Sequence, residues 1–316
     1  MSRKIIIDTD PGIDDAMAIC LAFNSTALDV LALTTTFGNV SVTQATQNAL
    51  VLAELNQVDV PVAQGVAVPL EIAPLPHPDF VHGSDGFGNI SWPAPTRVAD
   101  PRSAAQMIVD LVHQHPNEVT LIALGPLGNL AKALQLDPSI AGLVDEVILM
   151  GGAAQESGNV TPVAEANIIN DPHAADIVFG ASWAVTMIGL DATHQVLMGD
   201  NELNAIRDND EVCGDFLHQA TQYYFDFYRE RVGIDGCYVH DASTIVYAIS
   251  PDIFSTQDGV IRVATEGVAI GQTIVAEPGR TYAVDFWQGR PITNICMGVD
   301  AKRMLELILQ TFEKAS

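Results

Sequence analysis

A continuous stretch near the start of the chain indicates the fold class: Lys4-Ile5-Ile6-Ile7-Asp8-Thr9-Asp10-Pro11-Gly12-Ile13-Asp14-Asp15-Ala16. Its apolar run has the length and β-branched character of a buried strand, which we predict over residues 4–10. Gly12 permits a tight turn, and Asp14 and Asp15 favour a helix beginning there because carboxylates are stabilised at helix N-termini. The stretch therefore predicts a strand that turns directly into a helix over residues 13–23, the first unit of an α/β sheet.

The same alternation continues through the first half of the chain. Further strands are predicted at residues 30–36, 60–64, 119–123, 147–150 and 184–188, and further helices at 43–55, 103–115, 127–136 and 172–179. Such alternation predicts an α/β fold with an open, mostly parallel, Rossmann-like sheet flanked by helices. The second half is predicted to be more helical, with helices at 211–231, 242–248 and 301–312 and strands or hairpins within 259–275, 281–286 and 292–297. Because no linker or repeat interrupts the chain, we expect a single domain over residues 1–316.

Composition limits the classes of partner. Hydrophobic residues make up 48% of the 316 residues and charged residues only 17%, which predicts a folded chain with a large core. The formal net charge of -25 repels phosphate backbones and anionic membranes, so it argues against nucleic acid and favours a small neutral substrate or a cation. The four cysteines lack CxxC spacing, and no signal-peptide pattern or bilayer-length apolar run is evident, so we expect reduced thiols and a cytoplasmic protein.

Four acids within eight positions suggest a metal site. Helix-dipole stabilisation accounts for one or two of Asp8, Asp10, Asp14 and Asp15, but converging carboxylates repel each other unless a cation neutralises them. All-oxygen donors favour calcium or magnesium. The cluster is not an EF-hand, because the sixth position from Asp8 is Ile13 rather than glycine.

Other polar clusters follow the predicted strands, at residues 37–39, 124–126 and 150–152, where ligands of parallel sheets bind. Far downstream, His240 and Asp241 precede a predicted helix. Asp241 could simply cap that helix, yet the pair also offers a further acid and a titratable group to the same site.

These motifs resemble those of the inosine–uridine nucleoside hydrolases, and the resemblance covers nearly the whole chain. It rests on the segment 8–16 and, in order, on Phe37-Gly38-Asn39, His82-Gly83, Leu124-Gly125-Pro126-Leu127-Gly128-Asn129, Met150-Gly151-Gly152, Glu165-Ala166-Asn167, Asp171-Pro172 and His240-Asp241. The resemblance implies hydrolysis of ribonucleosides to free base and ribose in purine and pyrimidine salvage, an active site at the carboxyl ends of the strands, and a homodimer or homotetramer.

The resemblance also implies roles for individual residues. It implies one calcium ion held by Asp10, Asp15, Asp241 and the carbonyl of Leu124, with a calcium-bound water as nucleophile. Residues implied to contact the substrate are Asp14, Asn39 and Asn167 at the ribose hydroxyls, Asn159 and Glu165 at the 5′-hydroxyl, and Met150 against the sugar.

The chemistry of N-glycosidic cleavage suits these residue types. Positive charge develops on the ribose, and carboxylates stabilise it. Asp10 is expected to act as general base, and His240 as the acid that assists the leaving base, because histidine titrates near neutral pH.

Base preference is less constrained by the sequence. His82, in a glycine-rich segment of the long Pro-rich stretch 69–95, is a third catalytic candidate, with an exposed loop histidine as the alternative. Tyr224 and Tyr228 share a helix face and match base-approaching tyrosines, with core packing as the alternative. Ala166 replaces a larger residue that stacks on the base in some members. A broad or inosine–uridine preference is expected, and the loops 70–90 and 229–238 are candidates for closure over the substrate.

Three other functions are alternatives to ribonucleoside hydrolysis. A haloacid-dehalogenase-like phosphatase also carries Asp-x-Asp after its first strand, but Gly12 stands where that family expects Thr or Val. A non-catalytic nucleoside-binding protein of the same fold would not need a base and an acid. A hydrolase of a modified nucleoside would share the ribose-binding residues and stays open.

Overall fold

A computed structural model describes residues 2–313 of the chain. Its strands are β1 (Arg3–Thr9), β2 (Leu28–Thr35), β3 (Val62–Gln64), β4 (Val119–Ala123), β5 (Glu146–Met150), β6 (Val185–Ile188), β7 (Leu197–Met198), β8 (Cys237–Tyr238), β9 (Phe254–Val263), β10 (Thr273–Ala276) and β11 (Thr293–Val299). Its helices are α1 (Ile13–Asn24), α2 (Val42–Leu55), α3 (Asp79–His82), α4 (Ala104–Gln114), α5 (Gly128–Leu136), α6 (Ala166–Asn170), α7 (Pro172–Gly180), α8 (Leu190–Thr193), α9 (Asp200–Asn209), α10 (Glu211–Phe227), α11 (Ala242–Ile249) and α12 (Ala301–Phe312).

Nine of the described strands form one sheet in the order β10-β9-β11-β6-β5-β4-β1-β2-β3. The pairs from β11 through β6, β5, β4, β1 and β2 to β3 are all parallel, whereas β9 and β10 add to one edge as antiparallel strands. The predicted open, mostly parallel sheet is therefore confirmed.

Alternate residues of β1 show why the sheet is covered on both faces. Ile5 and Ile7 pack into one hydrophobic cluster with α1, α2, α10, α11 and α12, while Ile6 packs into a second with α4, α5 and α7. Because successive side chains of a strand point to opposite faces, a strand covered on both faces needs apolar residues at every position. The unbroken run Ile5-Ile6-Ile7 meets that requirement, and the elements predicted for the first half of the chain are present.

Two predictions in the second half differ from the structure. The strand predicted at residues 281–286 is wrong, because this segment is irregular and lies outside the sheet, with Val284 and Phe286 more than half exposed. The helix predicted at 211–231 ends at Phe227 and continues as one π-helical turn, Tyr228–Val232, which Gly233 terminates with a φ of 81°. A glycine adopts this left-handed conformation without steric cost.

The carboxyl ends of the central strands meet along one edge of the sheet. Asp8 is in register with Thr34 of β2 and with Ala123 of β4, and Met150 of β5 is in register with Ile188 of β6. The polar segments that follow these strands therefore lie side by side, at the edge where ligands of parallel sheets bind. Within residues 2–313, no helix is long and apolar enough to cross a membrane.

Candidate active site

Carboxylates from two distant parts of the chain meet at this edge of the sheet. Asp14 and Asp15, in the first turn of α1, and Asp241, just before α11, each place an oxygen within 4.8 Å of the other two. Asp241 makes no side-chain capping bond to α11, so capping does not explain its position. Burial, followed by the charges of Asp14, Asp15 and Asp10, raises the pKa of Asp241 well above its usual range. A cation at this point would remove that repulsion.

Asp10 lies beside this group with one oxygen bound and one free. The backbone N–H of Asn39 donates to Oδ2 at 2.6 Å, whereas the buried Oδ1 has no hydrogen-bond partner in the part of the chain that is described. Burial and, next, the charge of Asp15 raise the pKa of Asp10 well above its usual range. Such a carboxylate oxygen, buried and unsatisfied, is suited to accept a proton or to bind a cation.

Two glycines leave room for the Asp10 carboxylate. A Cβ atom at Gly38 would lie 1.9 Å from Oδ2 of Asp10, and one at Gly125 would lie 2.2 Å from Oδ1. No side chain fits at either position unless the carboxylate moves. The glycines of the Phe37-Gly38-Asn39 and Leu124-Gly125-Pro126 segments therefore leave the space that the Asp10 carboxylate occupies.

Asp15 is held rigidly by its neighbours. Its carboxylate accepts hydrogen bonds from the hydroxyl of Thr9, from the backbone of Gly12 at 3.0 Å and from Nδ2 of Asn39 at 3.0 Å. Burial and the charge of Asp14 raise the pKa of Asp15, and they outweigh the hydrogen bonds from Thr9 and Gly12, which lower it. These hydrogen bonds hold the carboxylate of Asp15 close to those of Asp14 and Asp241.

The carbonyl of Leu124 completes the predicted ligand set at the end of β4. Nδ2 of Asn167 donates to it at 2.6 Å and also to the carbonyl of Met150 at 3.1 Å. A carbonyl oxygen has a second lone pair, so this contact leaves it able to bind a cation. All the candidate metal-ligand atoms are oxygens, and the set therefore fits a hard divalent cation rather than a transition metal.

The structure brings the predicted metal ligands together with one difference. Asp15 and Asp241 belong to the close carboxylate group, but its third member is Asp14, which the resemblance implies at the ribose, and not Asp10. Asp14 also has a buried oxygen, Oδ1, without a hydrogen-bond partner among the described residues. Both Asp10 and Asp14 therefore have a carboxylate oxygen that could bind a cation.

A cavity of about 640 Å³ opens above the carboxylates. It is lined by twelve of the residues proposed from the sequence: Asp14, Asn39, His82, Leu124, Met150, Asn159, Glu165, Asn167, Tyr224, Tyr228, His240 and Asp241. Asp10 and Asp15 are not among its lining residues and are almost completely buried. The fold therefore brings these twelve residues to one cavity and places the carboxylates of Asp10 and Asp15 next to it.

Glu165 and Asn159 shape one side of the cavity. Glu165 caps α6 by accepting hydrogen bonds from the backbone of Asn167 at 2.8 Å and of Ile168 at 3.2 Å, and it also accepts one from Gly152 at 2.9 Å. Burial nevertheless raises the pKa of Glu165 to about 7. Asn159 accepts a hydrogen bond from the backbone of Ala166 at 3.0 Å.

A hydrogen-bonded series of side chains also lines the cavity. Nε2 of His240 lies 2.9 Å from the hydroxyl of Tyr228, which lies 3.4 Å from the hydroxyl of Tyr224, and Tyr224 donates to Asp14 at 3.4 Å. Both tyrosines are almost fully buried, yet both line the cavity and their hydroxyls are hydrogen-bonded to site residues, so core packing alone does not account for them.

His240 titrates differently from the expectation. Burial first, and then the nearby histidines 194 and 82, lower its pKa to about 3. A buried imidazole loses the hydration that stabilises its charged form, so the ring is neutral near pH 7. The ordinary pKa of histidine predicts titration near neutral pH, but it applies to an exposed ring and not to the buried ring of His240.

His82 is buried in the site and is not an exposed loop residue. It ends the short helix α3, its ring stacks on Tyr224 with a centroid distance of 5.5 Å, and its Nδ1 accepts a hydrogen bond from the backbone of Ile13 at 3.3 Å. Burial lowers its pKa to about 4. The structure thus places His82 and His240 on the same cavity.

Several cavity residues carried no recognisable signal in the sequence. His194 stacks on Tyr238 at a centroid distance of 4.5 Å and meets His240 edge-on at 5.7 Å, and Phe80 and Phe227 also line the cavity. His194 directly follows α8, and Tyr238 belongs to the two-residue strand β8. Elements this short produce no periodic pattern, so only the fold reveals these contacts.

Similarity to known proteins covers nearly the whole chain. The family model for inosine-uridine preferring nucleoside hydrolases matches residues 5–306. Uridine nucleosidase 1 of Arabidopsis thaliana is 40% identical over 308 residues, covering 97% of this chain and 92% of the relative. The inosine-uridine preferring nucleoside hydrolase of Crithidia fasciculata is 36% identical over 321 residues, covering 99% and 98%.

Solved structures give the same result. A plant nucleoside hydrolase superposes with a TM-score of 0.94 at 38% identity over the full length of both chains. A purine-preferring ribonucleoside hydrolase from Gardnerella vaginalis superposes with a TM-score of 0.91 at 33% identity, covering 98% of each chain. Since the family model spans nearly the whole chain and the carboxylates, histidines and tyrosines meet in one cavity, the chain belongs to the inosine-uridine preferring nucleoside hydrolase family.

Proposed function

We propose that the protein hydrolyses the N-glycosidic bond of ribonucleosides and releases the free base and ribose. The observation that carries this proposal is that one cavity brings the carboxylates of Asp14 and Asp241 together with a hydrogen-bonded series that leads from Asp14 through Tyr224 and Tyr228 to His240. The reaction needs negative charge near the ribose, where an oxocarbenium-like centre develops, and hydrogen-bond donors near the departing base.

We propose Ca²⁺ as the resident cation, held by Asp10, Asp15, Asp241 and the carbonyl of Leu124. The all-oxygen donor set and the mutual repulsion of the buried carboxylates support a hard cation. When bound, the cation would hold the ribose hydroxyls and a water near the carboxylates and lower the pKa of that water.

Asp10 is the proposed general base. Its Oδ1 is buried without a hydrogen-bond partner among the described residues, while Oδ2 is held by the backbone of Asn39. A proton removed from the attacking water would therefore go to Oδ1. The raised pKa of Asp10 in the unliganded site favours uptake of that proton, and a bound cation would keep the carboxylate ionised before attack.

His240 is the proposed group that assists the leaving base. Because burial keeps its ring neutral, it would act through a single N–H donor directed at the base, where negative charge develops as the C–N bond breaks. His82, stacked on Tyr224, and Tyr228 provide further polar contacts to the base. Asp14, Asn39 and Asn167 would hold the ribose hydroxyls, Asn159 and Glu165 the 5′-hydroxyl, and Met150 would pack against the sugar.

We propose a broad specificity that includes inosine and uridine and a role in purine and pyrimidine salvage. The names of two relatives support this, because one is a uridine nucleosidase and another an inosine-uridine preferring hydrolase. The aromatic and histidine-rich side of the cavity supports it as well, since ring stacking is tolerant of base identity.

The experiment that tests the function measures release of base and ribose from inosine, adenosine, uridine and cytidine, before and after chelation of divalent cations. Base release that is lost on chelation and restored by calcium supports the proposal. Release of no base from any of the four would contradict it and would favour a modified nucleoside or a non-catalytic binding protein. The Asp10→Ala variant serves as the catalytically inactive control.

A cytoplasmic homo-oligomer, either a dimer or a tetramer, is the proposed state of the protein. Its four cysteines are buried free thiols, as expected in a reducing compartment. The irregular segment around residues 282–292 exposes Tyr282, Val284, Phe286 and Ile292, which would be covered at a subunit contact. Light scattering coupled to gel filtration would give the number of subunits.

A further inference from the structure

We propose that Thr193 is a positioning residue for the reaction: its hydroxyl donates to Nδ1 of His240 and thereby keeps the hydrogen of the ring on Nε2, beside the cavity. This inference rests on the proposed role of His240 at the leaving base. It assigns a function to α8, a single helical turn that has no periodic signal in the sequence.

The fold holds the Thr193 hydroxyl firmly behind the His240 ring. Thr193 ends α8, which follows β6 directly, and the backbone of Leu190 in this turn donates to the carbonyl of Gly152 at 2.9 Å. Thr193 is completely buried, and its Oγ1 lies 2.9 Å from Nδ1 of His240. Two ordered elements, the turn after β6 and the segment before α11, thus set this contact.

The direction of the Thr193 bond follows from its surroundings. Within residues 2–313, the Thr193 hydroxyl makes no hydrogen bond other than the one to Nδ1. If Nδ1 carried the hydrogen, the hydroxyl would accept it and its own O–H would be buried without an acceptor. Leaving a buried donor unsatisfied is unfavourable, so the favoured arrangement has Thr193 as donor and Nδ1 as acceptor.

The hydrogen bonds at the Asp14 end of the series require the same tautomer of His240. The hydroxyl of Tyr224 donates its hydrogen to the carboxylate of Asp14. The contact between the two tyrosine hydroxyls then needs the hydrogen of Tyr228. Tyr228 has none left for His240, so Nε2 must donate to Tyr228. Thr193 and Asp14 therefore impose one tautomer on the ring from both sides.

This tautomer is the one that the proposed reaction needs. With hydrogen on Nε2, the one N–H of the ring lies on the side of the cavity-lining Tyr228: it donates to Tyr228 in the unliganded protein and would donate to the leaving base in its place when substrate is bound. With hydrogen on Nδ1 instead, the cavity side would present a lone pair, which repels the electron density gathering on the base. Thr193 would therefore affect the step in which the base departs, and not the binding of ribose.

Two substitutions separate the hydroxyl from the packing of the side chain. Thr193→Val keeps the shape and removes the donor, whereas Thr193→Ser keeps the donor. We expect Thr193→Val to lower kcat on inosine by roughly 10–100-fold with little change in KM, and Thr193→Ser to restore kcat to within about threefold. On 4-nitrophenyl riboside, whose leaving group needs no assistance, the valine variant should lose less than about threefold.

A matched control shows whether any buried threonine hydroxyl would give this result. Thr46 in α2 is also buried, and its hydroxyl bonds to the carbonyl of Val42 at 2.7 Å and to the hydroxyl of Thr35. Thr46→Val should leave the ratio of the inosine rate to the 4-nitrophenyl riboside rate unchanged. Equal losses on both substrates with Thr193→Val, without rescue by serine, would overturn the positioning role and indicate a structural one.

A spectroscopic readout tests the tautomer independently of turnover. The ring ¹⁵N shifts of His240, in protein labelled at histidine and identified by their loss in His240→Gln, should show hydrogen on Nε2 in the unaltered protein and a shift toward Nδ1 in Thr193→Val. Hydrogen on Nδ1 in the unaltered protein would overturn the inference. If His240→Ala slowed both substrates equally, the proposed role of His240 would fail instead, whatever the tautomer.

Discussion

Replacing Gly125 by alanine should stop turnover by displacing the carboxylate of Asp10. The new Cβ would lie 2.2 Å from Oδ1 of Asp10, 2.9 Å from its Cγ and 3.0 Å from Cγ2 of Thr36, whereas ordinary contact begins near 3.4 Å. The carboxylate must therefore move by about 1 Å, and a misplacement of that size costs on the order of 10²-fold in rate. The backbone of Gly125 is not in a conformation reserved for glycine, so the effect comes from the contact itself.

The assay is kcat on uridine at saturating substrate and calcium, with the melting temperature and the bound calcium measured on the same samples. We expect a fall in kcat of about 100-fold or more, together with weaker calcium binding and a loss of stability of about 1–3 kcal/mol from overpacking. Gly142→Ala is the control, because a Cβ there meets nothing within 4 Å. A folded Gly125→Ala protein with kcat within about threefold of the unaltered protein would refute the placement of Asp10 as a base limited by its position.

Four further predictions concern the leaving base, the ribose, a buried acid and a loop. His240→Ala should slow inosine by about 10²–10⁴-fold and 4-nitrophenyl riboside far less, and equal losses in steady-state kinetics would exclude assistance to the leaving base. Uridine should be strongly preferred over 2′-deoxyuridine, because cation and carboxylates bind both hydroxyls, and comparable kcat/KM values would contradict that site. The pKa of Glu165 is raised from 4.5 to about 7 by burial, so its folded form binds a proton more tightly than its unfolded form. The free energy of unfolding should therefore fall by about 3 kcal/mol between pH 4.5 and 7 through this group, and less steeply in Glu165→Gln, as measured by urea unfolding at pH 5 and 8. Asp191 accepts hydrogen bonds from the backbone of Ala154, Gln155 and Glu156 at 2.6, 2.7 and 2.9 Å, so Asp191→Ala should loosen the loop that carries Asn159. The KM should then rise more for nucleosides than for 5′-deoxynucleosides. An equal rise for both would show that this loop does not contact the 5′-hydroxyl.

Local patterns predicted the central elements of the fold correctly. The strand predicted at residues 119–123 and the helix predicted at 301–312 coincide with β4 and α12. Periodicity, turn residues and helix-start signals are properties of a few neighbouring residues, so they are visible in the sequence. The strand predicted at 281–286 had a suitable local pattern but no partner in the sheet. Strand formation depends on a neighbour that is distant in the chain, and no local pattern contains that neighbour.

The candidate site, too, was predicted only in the part that depends on neighbouring residues. Spacing alone placed Asp10, Asp14 and Asp15 around one strand-to-helix turn, and the acids in that turn already predicted a hard cation. The pair His240-Asp241 was a candidate from its residue types alone; motif resemblance gave it a role and added the other cavity residues, but not their geometry.

The amino-acid sequence by itself determined the alternation of strands and helices, the acidic turn after the first strand and the class of cation that suits it, because these depend on adjacent residues. Only the tertiary structure decided that Thr193, His240 and Tyr228 form one hydrogen-bonded series, that His240 is buried and neutral, and that Gly38 and Gly125 hold Asp10 between them. Hydrogen-bond direction, burial and close contact are relations between segments far apart in the chain, and these relations exist only once the sheet has brought the ends of its strands together.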